Sequence, residues 1–368
     1  MTVAPLAELT IDLGALVANY RLLKSRVGNA DCAAAIKASA YGLGADRAAP
    51  ALFAAGCRHF FVATLSEAIA LRAVVPQADV YVLSGPLGGD EPDFIAHRLI
   101  PVLNSRPQIE RWQTWCAGST PAPAVLHVDT GMSRLGLSPA GMDRLIAKPT
   151  PLSAFPIPVL MSHLACSDEP DHPLNAEQLA RWRAAIERLL PLMKQRPILT
   201  FANSSGIFLG PDFHFDLVRP GAALYGINPT PAASNPMRQV VGLKARILQV
   251  RQIDAHQAVG YGAHRSTRAT RLATLGLGYA DGMSRNLSHV GAAFVGEIRA
   301  PFVGRVSMDL ITIDVGDVPA HLAEPGAWVE ILGPQQSADD LAKSAGTIGY
   351  EVLTSLGSRY QRRYLPAE

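Results

Sequence analysis

The chain is poor in charge of either sign: 33 Lys and Arg against 31 Asp and Glu leave a net +2, and charged residues make up only 17% of the 368. With neither a basic stripe nor an acidic tail, nucleic acid is not an expected partner. No apolar run approaches the roughly 20 residues that span a bilayer. Residues 1–8 offer no basic leader ahead of an apolar core, so neither a secretory signal nor a membrane anchor is expected. Cysteine is scarce as well. Cys32, Cys57, Cys116 and Cys166 are irregularly spaced without a C-x-x-C pair, which argues against a disulfide framework and for reduced thiols in the cytoplasm. No metal site, internal repeat or low-complexity tract is expected.

What the chain does have is length and apolar content. At 368 residues and 48% hydrophobic it can bury more than one core, and two domains are expected. Apolar, strand-like runs at 33–39, 59–64, 80–85, 99–104, 124–129, 158–164, 199–205 and 215–220 alternate with helix-like segments. Eight such runs predict an α/β fold that opens with a parallel (β/α)8 TIM-like barrel. In one intervening segment Leu179, Trp182, Ile186, Leu189 and Leu190 recur at helical spacing, an ordinary packing face. Residues 9–26, with Asp12 ahead of a periodic stretch, predict a helix before the first barrel strand. The proline-rich, aperiodic stretch 228–236 predicts a domain boundary, placed as 1–234 for the barrel and 235–368 for the second domain. Beyond it, runs at 240–253, 271–278, 293–303, 310–314 and 327–332, with a short helix at 337–344, predict a mostly β domain.

Barrel enzymes work at the C-terminal ends of their strands, and Lys37, Arg134, His163, Asn203, Ser204 and Arg219 fall at or just after predicted strand ends. Lys37 lies in Ala33-Ala34-Ala35-Ile36-Lys37-Ala38-Ser39-Ala40-Tyr41-Gly42-Leu43-Gly44. A lysine in such a run either snorkels to solvent or sits in a poorly hydrated pocket, and only the second makes it a nucleophile at neutral pH. Glycines after it let a ligand approach the backbone, and Tyr41 can donate its hydroxyl to a phosphate. The combination points to a Schiff-base lysine beside a phosphorylated aldehyde cofactor. Taken singly, each residue has a plainer reading: a helix cap for Ser204, a loop arginine for Arg134, a structural histidine for His163.

Two further runs, His127-Val128-Asp129-Thr130-Gly131-Met132-Ser133-Arg134-Leu135-Gly136 and Asp216-Leu217-Val218-Arg219-Pro220-Gly221-Ala222-Ala223-Leu224-Tyr225-Gly226, join the lysine segment. Val259-Gly260-Tyr261-Gly262, Gly278-Tyr279-Ala280-Asp281-Gly282, Gly304-Arg305-Val306-Ser307-Met308-Asp309 and Gly349-Tyr350-Glu351 come after them in order. Together, over nearly the whole chain from Leu6 to Tyr364, they resemble the alanine racemase family of fold-type III pyridoxal phosphate enzymes.

That resemblance implies an isomerase that interconverts L- and D-alanine, a role in D-alanine biosynthesis, and pyridoxal 5'-phosphate bound through Lys37. It implies phosphate ligands at Tyr41, Ser204, Tyr350 and the amides near Gly221 and Ala222, with Asn203 among the cofactor contacts. Arg219 would face the pyridine nitrogen, hydrogen-bonded to His163; unlike a carboxylate, an arginine cannot accept a proton and leaves that nitrogen unprotonated, so the ring stays a weaker electron sink. Arg134 and the amide of Met308 would bind the substrate carboxylate. Racemisation needs acid–base groups on both faces of the substrate carbon. The resemblance supplies Lys37 for one and, for the other, Tyr261 from a second subunit, so a head-to-tail homodimer with shared sites is implied.

Three positions depart from the family pattern. Ser39 replaces a usual asparagine, Leu43 a common histidine, and His127 a lysine that in many relatives is carbamylated and orients the substrate-site arginine. A basic amino-acid decarboxylase of similar architecture is disfavoured by Arg219 and by the lack of any cysteine after Cys166. A single-barrel cofactor carrier would lack the domain that holds Tyr261 and Met308, whereas a racemase for serine or another small amino acid stays open.

Overall fold

The computed structural model describes residues 4–367; 1–3 of the opening segment lie outside the described residues. The chain starts with a strand rather than the expected helix. In β1 (Ala7–Asp12) burial alternates residue by residue, with Leu9 and Ile11 inward, which is the period of a strand. The helix begins only at Leu13 and runs to Arg26, capped by Asp12, whose Oδ1 accepts from the amide of Ala15 at 2.8 Å.

The barrel is built from β2 (Asp31–Cys32), β3 (Ala34–Ala35), β4 (His59–Val62), β5 (Asp79–Val82), β6 (Ile100–Leu103), β7 (Val125–His127), β8 (Val159–Met161), β9 (Ile198–Thr200) and β10 (Leu217–Val218). All pair in parallel in the order β2-β10-β9-β8-β7-β6-β5-β4-β3. β2 and β3 are one stave interrupted at Ala33, so nine segments make eight staves and close the ring. Ala33, Phe61, Tyr81, Val102, Val125, Val159, Met161 and Leu217 fill its interior. The segment with Trp182 and Ile186 is a helix over Pro173–Leu189, its apolar face against the barrel core.

The second sheet contains β11 (Val241–Ile253), β14 (Thr270–Leu275), β15 (Ala292–Val295), β16 (Ile298–Pro301), β17 (Ile311–Asp314), β18 (Trp328–Leu332) and β19 (Gln361–Leu365), while β12 (Ala258–Val259) and β13 (His264–Arg265) form a separate hairpin. β1 inserts between β11, to which it is antiparallel, and β19, to which it is parallel. The expected single strand at 293–303 is a hairpin folded at Gly296, where φ is +61°. Helices at Ala338–Ala345 and Gly349–Ser355 pack on this sheet's barrel side, bringing Tyr350 towards the barrel mouth. The first was expected; the second and β19 were not.

Candidate active site

The strand that carries Lys37 ends earlier than the sequence suggests. After Ala35 the chain turns, and Ala38, Ser39, Ala40 and Tyr41 all take left-handed φ values between +51° and +56°. Four residues with side chains in that hand cost roughly 1–2 kcal/mol each, so the turn is held from outside. Arg362 donates to the carbonyl of Gly42 at 2.7 Å and Tyr364 to that of Leu43 at 2.9 Å, both from β19. The Glu67 carboxylate accepts from the amide of Ala38 at 2.7 Å. Lys37 is thereby aimed at the barrel mouth. Burial and then the Arg134 guanidinium push its amine below the usual lysine range, with Glu67 opposing them.

Around Lys37 lies a cavity of about 800 Å³, lined by Tyr41, His127, Arg134, His163, Asn203, Ser204, Arg219, Gly221, Ala222 and Tyr350 among others. Tyr41 and Tyr350 line one wall 6.2 Å apart, ring centre to ring centre, and Tyr225 packs behind Tyr41 at 4.7 Å. Burial pushes the phenols of Tyr41 and Tyr350 up, so both remain donors at neutral pH. A Cβ on Gly221 would collide with the Tyr41 hydroxyl, which makes glycine necessary there. Ser204 does not cap the short helix after it. Its Oγ reaches across instead and accepts from the amides of Gly221 at 2.9 Å and Ala223 at 3.2 Å. Hydroxyls and amides thus gather at one end of the cavity, a donor set suited to a phosphate.

At the other side Arg219 is buried, 6% exposed, with both terminal guanidinium nitrogens engaged. It donates to the carbonyl of Ser162 at 2.7 Å, to that of Phe201 at 3.4 Å, to Thr200 Oγ1, and to His163 Nδ1 at 3.2 Å. The Thr200 hydroxyl passes its own proton to the carbonyl of Leu217 at 2.6 Å. Burial with no carboxylate against it pushes the Arg219 guanidinium down to about 9, still cationic at neutral pH. Because Arg219 can only donate, His163 Nδ1 must accept, which fixes a neutral ring with its proton on Nε2. Burial, then Arg219 and Arg134, push the imidazole of His163 well below its usual range.

His127 is set by the same logic. Asn104 donates through Nδ2 to the carbonyls of Leu83 at 2.9 Å and Val102 at 3.0 Å, so its Oδ1 faces His127 Nδ1 at 2.7 Å. The proton of His127 is therefore on Nδ1 and its Nε2 is a bare acceptor. Burial and Arg219 push this imidazole down to about 3. Arg134 is carried by a loop that Asp129 builds, Oδ1 collecting the amides of Gly131, Met132 and Ser133 between 2.9 and 3.1 Å. Its guanidinium is exposed and makes no hydrogen bond among the described residues. Asn203 Oδ1 ties its own loop to the one after β8, accepting from Ser167 Oγ at 2.7 Å and from the amide of Gly206 at 2.9 Å.

Tyr261 and Met308 are not in this cavity. Tyr261 sits at the tip of the β12–β13 hairpin, 73% exposed, and with Met308, Tyr279, Arg285 and Arg305 it lines a separate surface hollow of about 600 Å³. Sequence reasoning missed Glu67, Asn104 and Thr200. Only Glu67 had a local signature, the Thr64-x-x-Glu67 pattern of a capping box.

Comparison with known proteins gives consistent matches. The family model for the N-terminal domain of alanine racemase matches residues 11–229, and that for its C-terminal domain matches 240–364. An alanine racemase of Rhodospirillum rubrum is 52% identical over 362 residues, 97% of this chain and 96% of that protein. A catabolic alanine racemase of Mesorhizobium japonicum is 49% identical over 363 residues, covering 98% and 93%. The crystal structure of alanine racemase from Bartonella henselae, with covalently bound pyridoxal phosphate, superimposes with a TM-score of 0.92 at 43% identity, covering 98% of this chain and all of that one.

Proposed function

This chain belongs to the alanine racemase family, and from that premise we propose that it interconverts L- and D-alanine with pyridoxal 5'-phosphate at Lys37. One observation carries the reading: a depressed lysine, a phosphate-sized donor set and a buried arginine with no carboxylate partner line a single cavity. The cofactor fits these residues. Tyr41, Tyr350, Ser204 and the Ala222 amide would hold its phosphate, with the Gly221 amide turning to it from Ser204 Oγ, and Arg219, braced by His163, would face its ring nitrogen. When bound, the cofactor supplies an electron sink that acidifies the α-hydrogen of the amino acid joined to it.

The chain's own groups do the rest. Arg134 and, from a second copy, the Met308 amide orient the substrate carboxylate. Lys37 Nζ, its ammonium weakened by burial, moves the Cα proton on one face. On the other, the phenolic oxygen of Tyr261 from a second copy moves it, so the 235–368 domain of one chain completes the site in the 1–234 barrel of another, while Tyr350 of that domain lines the cavity of its own chain. Support for this head-to-tail homodimer is the exposure of Tyr261 at 73% and Met308 at 53% beside a hollow of their own. Because a racemase equilibrates both enantiomers, the same site serves D-alanine biosynthesis and alanine breakdown. No helix among the described residues is long and apolar enough to cross a membrane, and four free thiols suit the reducing cytoplasm.

Chiral chromatography of a panel of L-amino acids incubated with the protein tests the activity, with alanine expected to racemise fastest; serine ahead of alanine would reassign the substrate. Borohydride reduction and peptide mapping should place the pyridoxyl label on Lys37. A label on Lys24 or Lys244 would overturn the site.

A further inference from the structure

Glu67 lies in the first turn of its helix, and its carboxylate serves backbone amides on two different segments. Oε2 accepts from Ala63 at 2.8 Å and Thr64 at 3.2 Å. These two bonds end β4 and start the helix Leu65–Val74, and any capping box makes something similar. The bond from Oε1 is different. It reaches 29 residues back in sequence to Ala38, the residue next after Lys37. A carboxylate is the stronger kind of acceptor for an amide.

The place where that bond lands is strained. The left-handed turn Ala38–Tyr41 contains no glycine, and such backbone persists only where its surroundings over-determine it. At its far end Arg362 and Tyr364 grip the carbonyls of Gly42 and Leu43. At its near end the amide of Ala38 has Glu67. We propose that Glu67 is a positioning residue for Lys37: its carboxylate pins the first amide of the left-handed turn to the end of β4 and so fixes the direction in which Lys37 enters the cavity. The proposal rests on Lys37 being the lysine that bears the cofactor.

Position and charge are both affected. A reacting amine displaced by about 1 Å costs on the order of 10²-fold in rate. The charged groups that face Lys37 are Glu67 and Arg134, and His163 lies within its field. Glu67 favours the ammonium, whereas Arg134 and burial favour the free amine. Removing the Glu67 charge therefore lets Lys37 lose its proton at lower pH.

Three full-length holoenzyme variants test this: Glu67→Ala, Glu67→Gln and Thr64→Ala. Thr64→Ala removes the hydroxyl that caps the same helix, accepting from the Glu67 amide at 3.3 Å, and leaves the bond to Ala38 in place. It controls for lost stability. Hydrogen exchange followed by mass spectrometry should quicken at Ala38 in Glu67→Ala and not in Thr64→Ala. In Glu67→Ala kcat should fall by about 10- to 100-fold, with KM for alanine changed by no more than about twofold. Glu67→Gln keeps one acceptor oxygen where Glu67 has two, so its NH2 group must face either the Ala38 amide or those of Ala63 and Thr64; kcat should fall less than in Glu67→Ala, while the limb of the pH profile set by Lys37 moves to lower pH. Unchanged Ala38 exchange and kcat in Glu67→Ala would overturn the proposal, as would Thr64→Ala reproducing both losses, or a Glu67→Gln limb at the wild-type position. If the borohydride label sits on another lysine, the proposed function fails, while exchange at Ala38 still reports separately on the clamp.

Discussion

The barrel mouth and the exposed face around Tyr261 are expected to serve one reaction, but they are built in opposite ways. At the mouth Ser204 is 5% and Arg219 6% exposed, each with several hydrogen-bond partners inside the chain. On the other face Tyr261 stands at a hairpin tip between Gly260 and Gly262, both at positive φ, and Met308 is half exposed. Groups that must hold an anion and restrain a ring are organised before anything binds, because burial makes their electrostatics strong and leaves no reorganisation for the moment of reaction. A group that only has to move one proton can wait on a small, exposed hairpin until a second copy covers it. On the proposed function, one chain contains a finished half-site and an unfinished one.

The sharpest way to break that comparison is to ask whether Tyr261 works in its own chain or in another. Tyr261→Phe should lose about 10²- to 10⁴-fold in turnover while still binding the cofactor, the usual effect of removing a positioned acid or base. Lys37→Ala should be inactive for a different reason, lacking the cofactor-bearing amine. Mixing the two inactive proteins under subunit exchange should restore activity if sites are shared, since each mixed dimer then holds one intact centre and one doubly defective. Sites built within one chain would restore nothing. Mixed dimers demonstrated by mass spectrometry but without activity would remove the distinction between the two regions.

Arg219→Glu probes the finished half-site. A carboxylate in that buried position can share a proton with the ring nitrogen of the cofactor, so the variant should slow turnover by about 10²-fold or less and accumulate a visible band near roughly 500 nm, as a stronger electron sink would. Wild-type turnover with no new band would mean that the charge at this position does not restrain the ring, and that burial at the mouth serves packing alone.

Legibility in the sequence divides along similar lines. The eight barrel staves were legible because parallel strands are buried on both faces and read as short apolar runs. Lys37, Tyr41, Arg134 and Arg219 were legible as motifs. The strand Ala7–Asp12 carries a strand signal that sequence reasoning missed, since Ala7, Leu9 and Ile11 alternate with Glu8, Thr10 and Asp12 before the helix at Leu13. β19 escaped because Gln361-Arg362-Arg363-Tyr364-Leu365 has no alternation; it forms by pairing with β1 and gripping the lysine turn. Nothing in Ala38-Ser39-Ala40-Tyr41 signals a left-handed turn, as none is glycine and the restraints come from Glu67 and β19. The Thr64-x-x-Glu67 pattern announced a helix start, but not that the same carboxylate would reach the neighbouring stave. Local chemistry was readable, whereas long-range bracing was not.

The smallest expected effect separates the regions by acid. His127 and His163 are buried neutral at the barrel mouth, the first held down to about 3 and the second well below its usual range, while His264 and His289 stack on each other near the exposed hairpin. A histidine with a depressed folded-state value gives its full stability above the unfolded value of about 6.5 and loses it as pH falls towards the folded value, because the unfolded chain takes up the proton first. Each buried ring should therefore steepen the loss by about 1.4 kcal/mol per pH unit below roughly pH 6.5. Urea unfolding of the full chain at a series of pH values between about 7.5 and 5 measures this slope. His127→Gln, which keeps a donor for Asn104, should flatten it by about one such increment. An unchanged slope in His127→Gln would mean that burial at the mouth does not commit this ring to its neutral state, and the contrast between a finished and an unfinished half-site would lose its electrostatic basis.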